Sequence, residues 1–279
     1  AERSRISSRR PGSRSHDGRF NVKVVLFCGG FGTRLREHSA TTPKPLVNIG
    51  VRPVIWHLMR TYAHYGHTDF ILCLGYRGDL IRRYFLEYQE ALSNDFTLSG
   101  SCGHVELHST DVSHWKITFV DTGLHANIAQ RLVKARRYLD GEQVFLANYA
   151  DGLSDLRIDD TIEAFRRRDT VAQLTSVVPQ QTYHTIQATA DGYATAIGPM
   201  QDSNLRINGG YFVLRHDIFE YIRPGDELVE APFERLVQKR RLGVFRHDGF
   251  WRAMDTFKDK IIFDRMEASG ECPWMVWKK

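Results

Sequence analysis

The residues best suited to chemistry fall in three short stretches. The first is Cys28-Gly29-Gly30-Phe31-Gly32-Thr33-Arg34-Leu35, directly after the apolar run 24–27. Glycines clustered at the end of a buried strand let backbone N–H groups approach an anion with no Cβ in the way. Arg34 adds a fixed charge whose planar fork matches phosphate oxygens. The second stretch is Pro43-Lys44-Pro45, where a cation stands in a stiff frame and loses less freedom on meeting an anion. The third is Ala150-Asp151-Gly152, which ends an apolar run and projects a carboxylate from the carboxyl end of a strand. Mg²⁺ takes oxygen ligands, commonly one or two carboxylates plus substrate phosphates, so Asp151 is the first candidate metal ligand. An Asp-Gly corner is also an ordinary turn, and Asp155 is read as no more than that.

Familiar alternatives fail on spacing. A dinucleotide fingerprint needs glycine three residues after Gly32, where Leu35 stands, and a Walker loop needs Gly-Lys-Ser/Thr where the chain has Gly32-Thr33-Arg34. The twelve histidines form no zinc spacing, and Cys28, Cys73, Cys102 and Cys272 show no CxxC pair. Cys28 reads as a small buried residue beside the glycine turn.

The elements that must position these residues follow a strand–turn–helix rhythm. Helical spacing of Val54, Ile55, Leu58, Met59 and Tyr62 predicts a helix over 52–66. A buried strand is expected at 69–74, closed by Gly75-Tyr76-Arg77-Gly78, and a helix at 79–92. Strands at 105–108 and 116–120 precede Asp121-Thr122-Gly123, then a helix at 127–139 carries Arg131. The strand ending at Asp151 is followed by a helix at 158–168 and a strand at 171–177. Residues 182–210 read as β-hairpins, with turns at Asp191-Gly192, Gly198-Pro199 and Asn208-Gly209-Gly210, the last before a strand at 211–214. A helix at 232–240, a strand at 243–247 and a helix at 256–268 complete the chain, with Asp255 at the N-cap of the last. This rhythm implies an α/β fold, a Rossmann-like, mostly parallel sheet flanked by helices, with a small β-rich region. Such sheets bind ligands at the carboxyl ends of their strands, where both Gly-rich turns fall; phosphates at the first and a base near Gly75 and Tyr76 fit that placement.

Gly-Gly-x-Gly-Thr-Arg-Leu followed by Pro-Lys-Pro-Leu-Val resembles the signature of nucleotidyltransferases that join an NTP to a sugar phosphate. The likeness is strongest toward glucose-1-phosphate cytidylyltransferases and runs from about Val22 to the C-terminus. It implies a nucleotide site over Gly29, Gly30, Gly32, Thr33, Arg34, Gly75, Tyr76 and Arg131, the last through Asp-Thr-Gly followed by Arg-Leu. It implies that Asp255, in Trp251-Arg252-Ala253-Met254-Asp255-Thr256, is a second metal ligand. It implies that Asn208-Gly209-Gly210 helps hold a sugar, that CTP is the NTP, and that the protein is a homo-oligomer. The reaction would need no nucleophilic side chain. A phosphate monoester is largely dianionic near neutral pH and can attack an α-phosphorus itself, so positioning and charge neutralisation carry the rate. Arg34 and Lys44 are the candidate catalytic cations, with Asp151 and Asp255 holding Mg²⁺.

The acceptor half departs from the family. Glu-Lys-Pro is expected before Asn-Gly-Gly, and Ile197-Gly198-Pro199 stands there. Three further motifs differ as Thr42-Pro43-Lys44-Pro45, Ala150-Asp151-Gly152 and Val229-Glu230-Ala231-Pro232. A non-sugar phosphate or phosphonate acceptor therefore stands beside the sugar phosphate, and Arg206 is the expected stand-in for the missing lysine. A non-catalytic nucleotide-binding protein is the other reading, and two retained metal aspartates argue against it.

Composition sets the remaining bounds. The chain has 279 residues, 42% of them hydrophobic, enough for one sizeable α/β domain. The formal net charge is +5, and residues 1–20, with six arginines against Glu2 and Asp17, hold +4 of it. Those residues read as a disordered basic tail and residues 21–279 as the nucleotidyltransferase domain. The domain is nearly neutral, so nucleic acid is not the expected partner. With no membrane-length or signal-like apolar run and scattered thiols, a cytoplasmic location is expected.

Overall fold

The structure, a computed structural model, describes residues 21–30, 42–100, 103–180 and 183–278. The expected tail, Gly32, Thr33, Arg34 and Cys102 lie outside the described residues.

The strands, in chain order, are β1 (Val24–Phe27), β2 (Asn48–Ile49), β3 (Arg52–Pro53), β4 (Asp69–Leu74), β5 (Phe96–Ser99), β6 (His104–Leu107), β7 (Lys116–Asp121) and β8 (Val144–Tyr149). They continue as β9 (Gly152–Ser154), β10 (Ala172–Val177), β11 (His184–Ala188), β12 (Ala194–Pro199), β13 (Ile207–Arg215), β14 (Leu242–Arg246) and β15 (Trp251–Ala253). The helices are α1 (Val54–His64), α2 (Gly78–Leu86), α3 (Ile128–Ala135), α4 (Ile158–Arg166), α5 (Ala231–Gln238) and α6 (Phe257–Ser269). Seven strands form the central sheet in the order β14-β10-β13-β8-β1-β4-β7. Only β13 runs against its neighbours; the other pairings in this sheet are parallel.

Side chains alternate across a strand, so β1 feeds both faces. Val24 and Leu26 join one core with residues of α1, α2, α4 and α6, while Val25 and Phe27 join a second with α3 and α5. A sheet covered on both faces leaves its strand ends as the place where loops converge. The carboxyl ends of β1, β4, β7, β8, β10 and β14 and the amino end of β13 therefore share one edge. Among the described residues no helix is long and apolar enough to cross a membrane.

Several elements differ from expectation for identifiable reasons. The helix expected over 79–92 stops at Leu86, with a separate 3₁₀ turn at Glu90–Leu92. Buried Arg52 takes the Gln89 carbonyl at 2.6 Å, stacks on the Tyr88 ring and binds Ser93 Oγ, so the chain here wraps the guanidinium. Residues 93–104 contribute an additional hairpin strand, β5, paired with β6. Gly198-Pro199 is no turn but the end of β12. Asn208-Gly209-Gly210 lies inside β13, where the register against β10 shifts between Leu174 and Ser176. Gly210 takes φ +79°, and a side chain there would strike Tyr149, which makes this a glycine-dependent bulge. The cap of α6 is Thr256, in a reciprocal capping box with Asp259, and not Asp255.

Candidate active site

Lys44, Asp151 and Asp255 meet at the shared edge. Lys44 opens a 3₁₀ turn, Lys44–Leu46, between an extended Pro43 and Pro45. Leu46 N–H donates to Pro43 O at 2.8 Å and Val54 N–H to Val47 O at 2.9 Å, which ties the turn to the start of α1. The Lys44 ammonium reaches Asp151 Oδ2 at 3.1 Å and Asp255 Oδ1 at 2.6 Å.

The two aspartates lie far apart in sequence, and a short ladder brings them together. Asp151 precedes β9, and β9 pairs antiparallel with β15 through Gly152–Ala253 and Leu153–Arg252. Met254 N–H then donates to Asp151 O at 2.8 Å, which turns Asp255 back toward its partner. Because Thr256 caps α6, the Asp255 carboxylate is left to face Lys44. Burial pushes the Asp151 carboxyl above its usual range, with Lys44 opposing and Asp255 reinforcing the rise. For Lys44, burial disfavours the charge, but the two carboxylates outweigh it and hold the ammonium above its ordinary value.

The donor set fits a divalent cation that takes oxygen ligands. Two carboxylates already converge on one positive centre, the Lys44 ammonium, and phosphate oxygens would complete the shell. Among the described residues no group of three or more His, Cys, Asp or Glu side chains could hold a metal ion. A Ser154–His247–Asp155 cluster stands nearby, but Ser154 Oγ at 3.1 Å and Asp155 Oδ1 at 3.0 Å both meet His247 Nε2. A relay needs the base held through one ring nitrogen and the nucleophile at the other, so this cluster is no triad.

The Asn-Gly-Gly segment adjoins the aspartates. Trp251 Nε1 donates to Gly209 O at 2.9 Å, Tyr211 Oη donates to Gly152 O at 3.1 Å, and Asn208 Oδ1 accepts from Gly210 N–H at 2.9 Å. Trp251 is thus a frame residue that the sequence reading quoted only as part of a motif.

Two residues expected at a ligand are engaged with protein groups in this structure. Arg206 does not stand open to a phosphate. Its Nη1 binds Asp248 Oδ1 at 2.7 Å, Nη2 donates to His247 O at 2.6 Å and Ser176 O at 2.8 Å, and Nε donates to Ser176 Oγ at 3.1 Å. The guanidinium fastens β13 to the ends of β10 and β14. Arg131 was expected to reach the nucleotide, yet it is buried beneath the loops. Its Nη1 donates to Leu74 O at 3.1 Å, Thr122 Oγ1 at 2.6 Å and Gly123 O at 3.2 Å. Its Nη2 donates to Gly29 O at 2.9 Å and Leu124 O at 3.4 Å. Gly29, Gly30, Gly75 and Tyr76 follow β1 and β4 on the shared edge, as expected.

Known proteins resemble this chain over most of its length. The family model described as nucleotidyl transferase matches residues 23–252. The "Probable glucose-1-phosphate cytidylyltransferase" of Bacillus subtilis (strain 168) is 37% identical over 258 residues, covering 92% of this chain and 100% of that protein. The glucose-1-phosphate cytidylyltransferase of Salmonella typhimurium is 34% identical over the same length, with the same coverage. Among solved structures, UDP-glucose pyrophosphorylase complexed with UDP-glucose has a TM-score of 0.65 at 14% identity, covering 90% of this chain and 99% of that one, a likeness of fold. With a lysine clasped between two aspartates at the carboxyl edge of a mostly parallel sheet, and a family match over most of its length, the chain belongs to the nucleotidyl transferase family.

Proposed function

We propose that this nucleotidyl transferase joins CTP to a sugar 1-phosphate, glucose 1-phosphate in the first instance, and releases pyrophosphate. The observation that carries the reading is the Asp151–Lys44–Asp255 cluster beside the glycine turn, together with full-length relatives named as glucose-1-phosphate cytidylyltransferases. In the reaction an acceptor phosphate oxygen bonds to the α-phosphorus, and the bond from that phosphorus to the α–β bridging oxygen breaks. The leaving electron pair departs with pyrophosphate. Mg²⁺ held by Asp151 and Asp255 would supply charge neutralisation to the phosphates. Lys44 and Arg34 supply the remaining cations, Lys44 from its stiff turn beside the carboxylates and Arg34 from the glycine stretch. Gly29, Gly30, Gly32, Thr33, Gly75 and Tyr76 would line the nucleotide, and Asn208, Gly209 and Gly210 the acceptor.

A second reading keeps the nucleotide and changes the acceptor to a non-sugar phosphate or a phosphonate. It is favoured by the acceptor side itself. Gly198, on a hairpin beside the 71% exposed Ile197, stands at the place of the family's lysine, and Arg206 is engaged with Asp248. A matrix of the common NTPs against sugar 1-phosphates, other phosphate monoesters and phosphonates, read by pyrophosphate release with Mg²⁺ and with EDTA, decides between the two. Pyrophosphate with CTP and glucose 1-phosphate alone supports the first; no metal-dependent pyrophosphate from any pair rejects both.

A further inference from the structure

We propose that Lys44 keeps the dication affinity of the Asp151–Asp255 pair low until phosphates draw its ammonium away, so that metal binding is coupled to nucleotide binding. The inference rests on the nucleotidyl-transfer reading above, through its assignment of a dication to these two carboxylates, and adds to it a side chain that competes for them.

The two carboxylates already have a counter-ion. Lys44 Nζ lies 3.1 Å from Asp151 Oδ2 and 2.6 Å from Asp255 Oδ1, so one oxygen of each carboxylate is engaged with it. A dication that takes oxygen ligands draws on the same negative charge, and its approach sets two like charges against one another across a few ångströms. The Lys44 side chain is only 15% exposed, so water has little access to the ammonium where it stands. The ammonium therefore exchanges the aspartates for another anion before their charge is released. In the transfer reading, the phosphates of the NTP are the anions that come to this edge.

The turn and the aspartates are built for such an exchange. Pro43 is extended and Pro45 is buried, while Leu46 N–H donates to Pro43 O at 2.8 Å and Val47 N–H to Lys44 O at 3.0 Å, so the backbone of the turn is closed. What can move is the side chain, a compact ammonium with three donors on a flexible four-carbon stem. It can trade carboxylate oxygens for phosphate oxygens without losing a donor site. The carboxylates do not depend on the lysine for their meeting. The β9–β15 ladder and the bond from Met254 N–H to Asp151 O at 2.8 Å hold their backbones together. When Lys44 turns to a phosphate, the two aspartates remain side by side with their charge uncompensated.

A coupling of this kind is reciprocal. The factor by which a nucleotide tightens metal binding through Lys44 is the factor by which the metal tightens nucleotide binding. A chain with an uncharged side chain at position 44 should bind the metal without waiting for a nucleotide.

The test measures Mn²⁺ binding to the full chain from the electron paramagnetic resonance signal of the free ion, without nucleotide and at constant ionic strength. Lys44→Met removes the charge and keeps the stem, Lys44→Gln is a second uncharged variant, and Lys44→Arg keeps the charge. Mn²⁺ affinity should rise about tenfold or more in the two uncharged variants and stay within about threefold of wild type in Lys44→Arg. Adding Asp151→Asn or Asp255→Asn to Lys44→Met should abolish the gain. Mn²⁺ should also raise the melting temperature of Lys44→Met more than that of the wild type, because the ion replaces the missing counter-ion. An unchanged affinity in the uncharged variants, or a gain that survives the loss of either aspartate, overturns the inference. If the uncharged variants fold poorly, Mn²⁺ should restore them, and its failure to do so overturns the inference equally. A wild-type chain that releases pyrophosphate with a dication, beside a Lys44→Met variant that gains no Mn²⁺ affinity, removes the inference and leaves the transfer reading standing. A Mn²⁺ gain that depends on both aspartates, with no pyrophosphate from any substrate pair, supports the inference and rejects the transfer reading.

Discussion

The edge formed by β1, β4, β7 and β8 is tied together from beneath, whereas the edge formed by β10, β13 and β14 is tied to itself. On the first, buried Arg131 gathers the loops by their carbonyls, and Lys44 clasps two carboxylates delivered by the β9–β15 ladder. On the second, Arg206 fastens strand ends and Asp248, and the β11–β12 hairpin projects Tyr193 and Ile197 into solvent. Both regions contain an arginine near a Gly-rich segment, yet one organises a loop cluster and the other closes a sheet corner. The difference follows from burial. A charge beneath several loops must satisfy its donors with their carbonyls and so fixes them, while one at a corner can use an exposed aspartate. The first region is braced from within, and the second leaves its hairpin exposed.

The largest expected effect would break the first region. Asp151→Asn or Asp255→Asn should lower turnover by about 10²- to 10³-fold with little loss of melting temperature, because each removes a carboxylate charge and little volume. Near-normal turnover in either variant would detach that residue from the site.

The next effect sharpens the brace behind the Lys44 turn. His57 is buried with Nε2 against Ile49 O at 3.2 Å and Nδ1 accepting from Trp274 Nε1 at 3.4 Å, so the neutral ring is the one that fits. Burial lowers its pKa from 6.5 to about 4. The folded-state pKa lies below the unfolded one, so its contribution is intact above 6.5 and is lost as pH falls toward 4. Stability should drop in that window by up to about 1.4 kcal/mol per pH unit. Denaturation midpoints at pH 7 and pH 5 measure it, and an equal fall in His57→Gln would exclude His57 as the cause.

A smaller effect sets the corner role of Arg206 against the acceptor role expected for it. Arg206→Ala should cost about 1–3 kcal/mol of stability, since it strips partly buried carbonyls of their donors. The acceptor KM should change less than about twofold. A large rise in acceptor KM with unchanged melting temperature would return Arg206 to the acceptor pocket and erase the contrast between the two regions. The smallest effect lies on the hairpin: Ile197→Thr should change stability by no more than about 0.5 kcal/mol, because Ile197 is 71% exposed. A larger loss by chemical denaturation would show that the hairpin packs more tightly than its exposure implies.

Local pattern determined a good deal of this protein. Apolar runs, glycine turns and helical spacing placed most strands and helices within a few residues, because these signals arise from neighbours in the chain. The motifs named the Lys44, Asp151 and Asp255 neighbourhoods, and the parallel rhythm put the glycine turns at one edge. Choice of partner was not legible. Nothing in Pro43-Lys44-Pro45 says that the ammonium meets carboxylates 107 and 211 residues away. Nothing around Arg131 says that Gly29, 102 residues earlier, will accept from it. A long charged side chain takes whichever acceptors the assembled sheet brings within hydrogen-bond distance, and only the tertiary structure decides which those are. The same physics put Arg206 on Ser176, His247 and Asp248, although its place in the chain, two residues before Asn208, had pointed toward the acceptor.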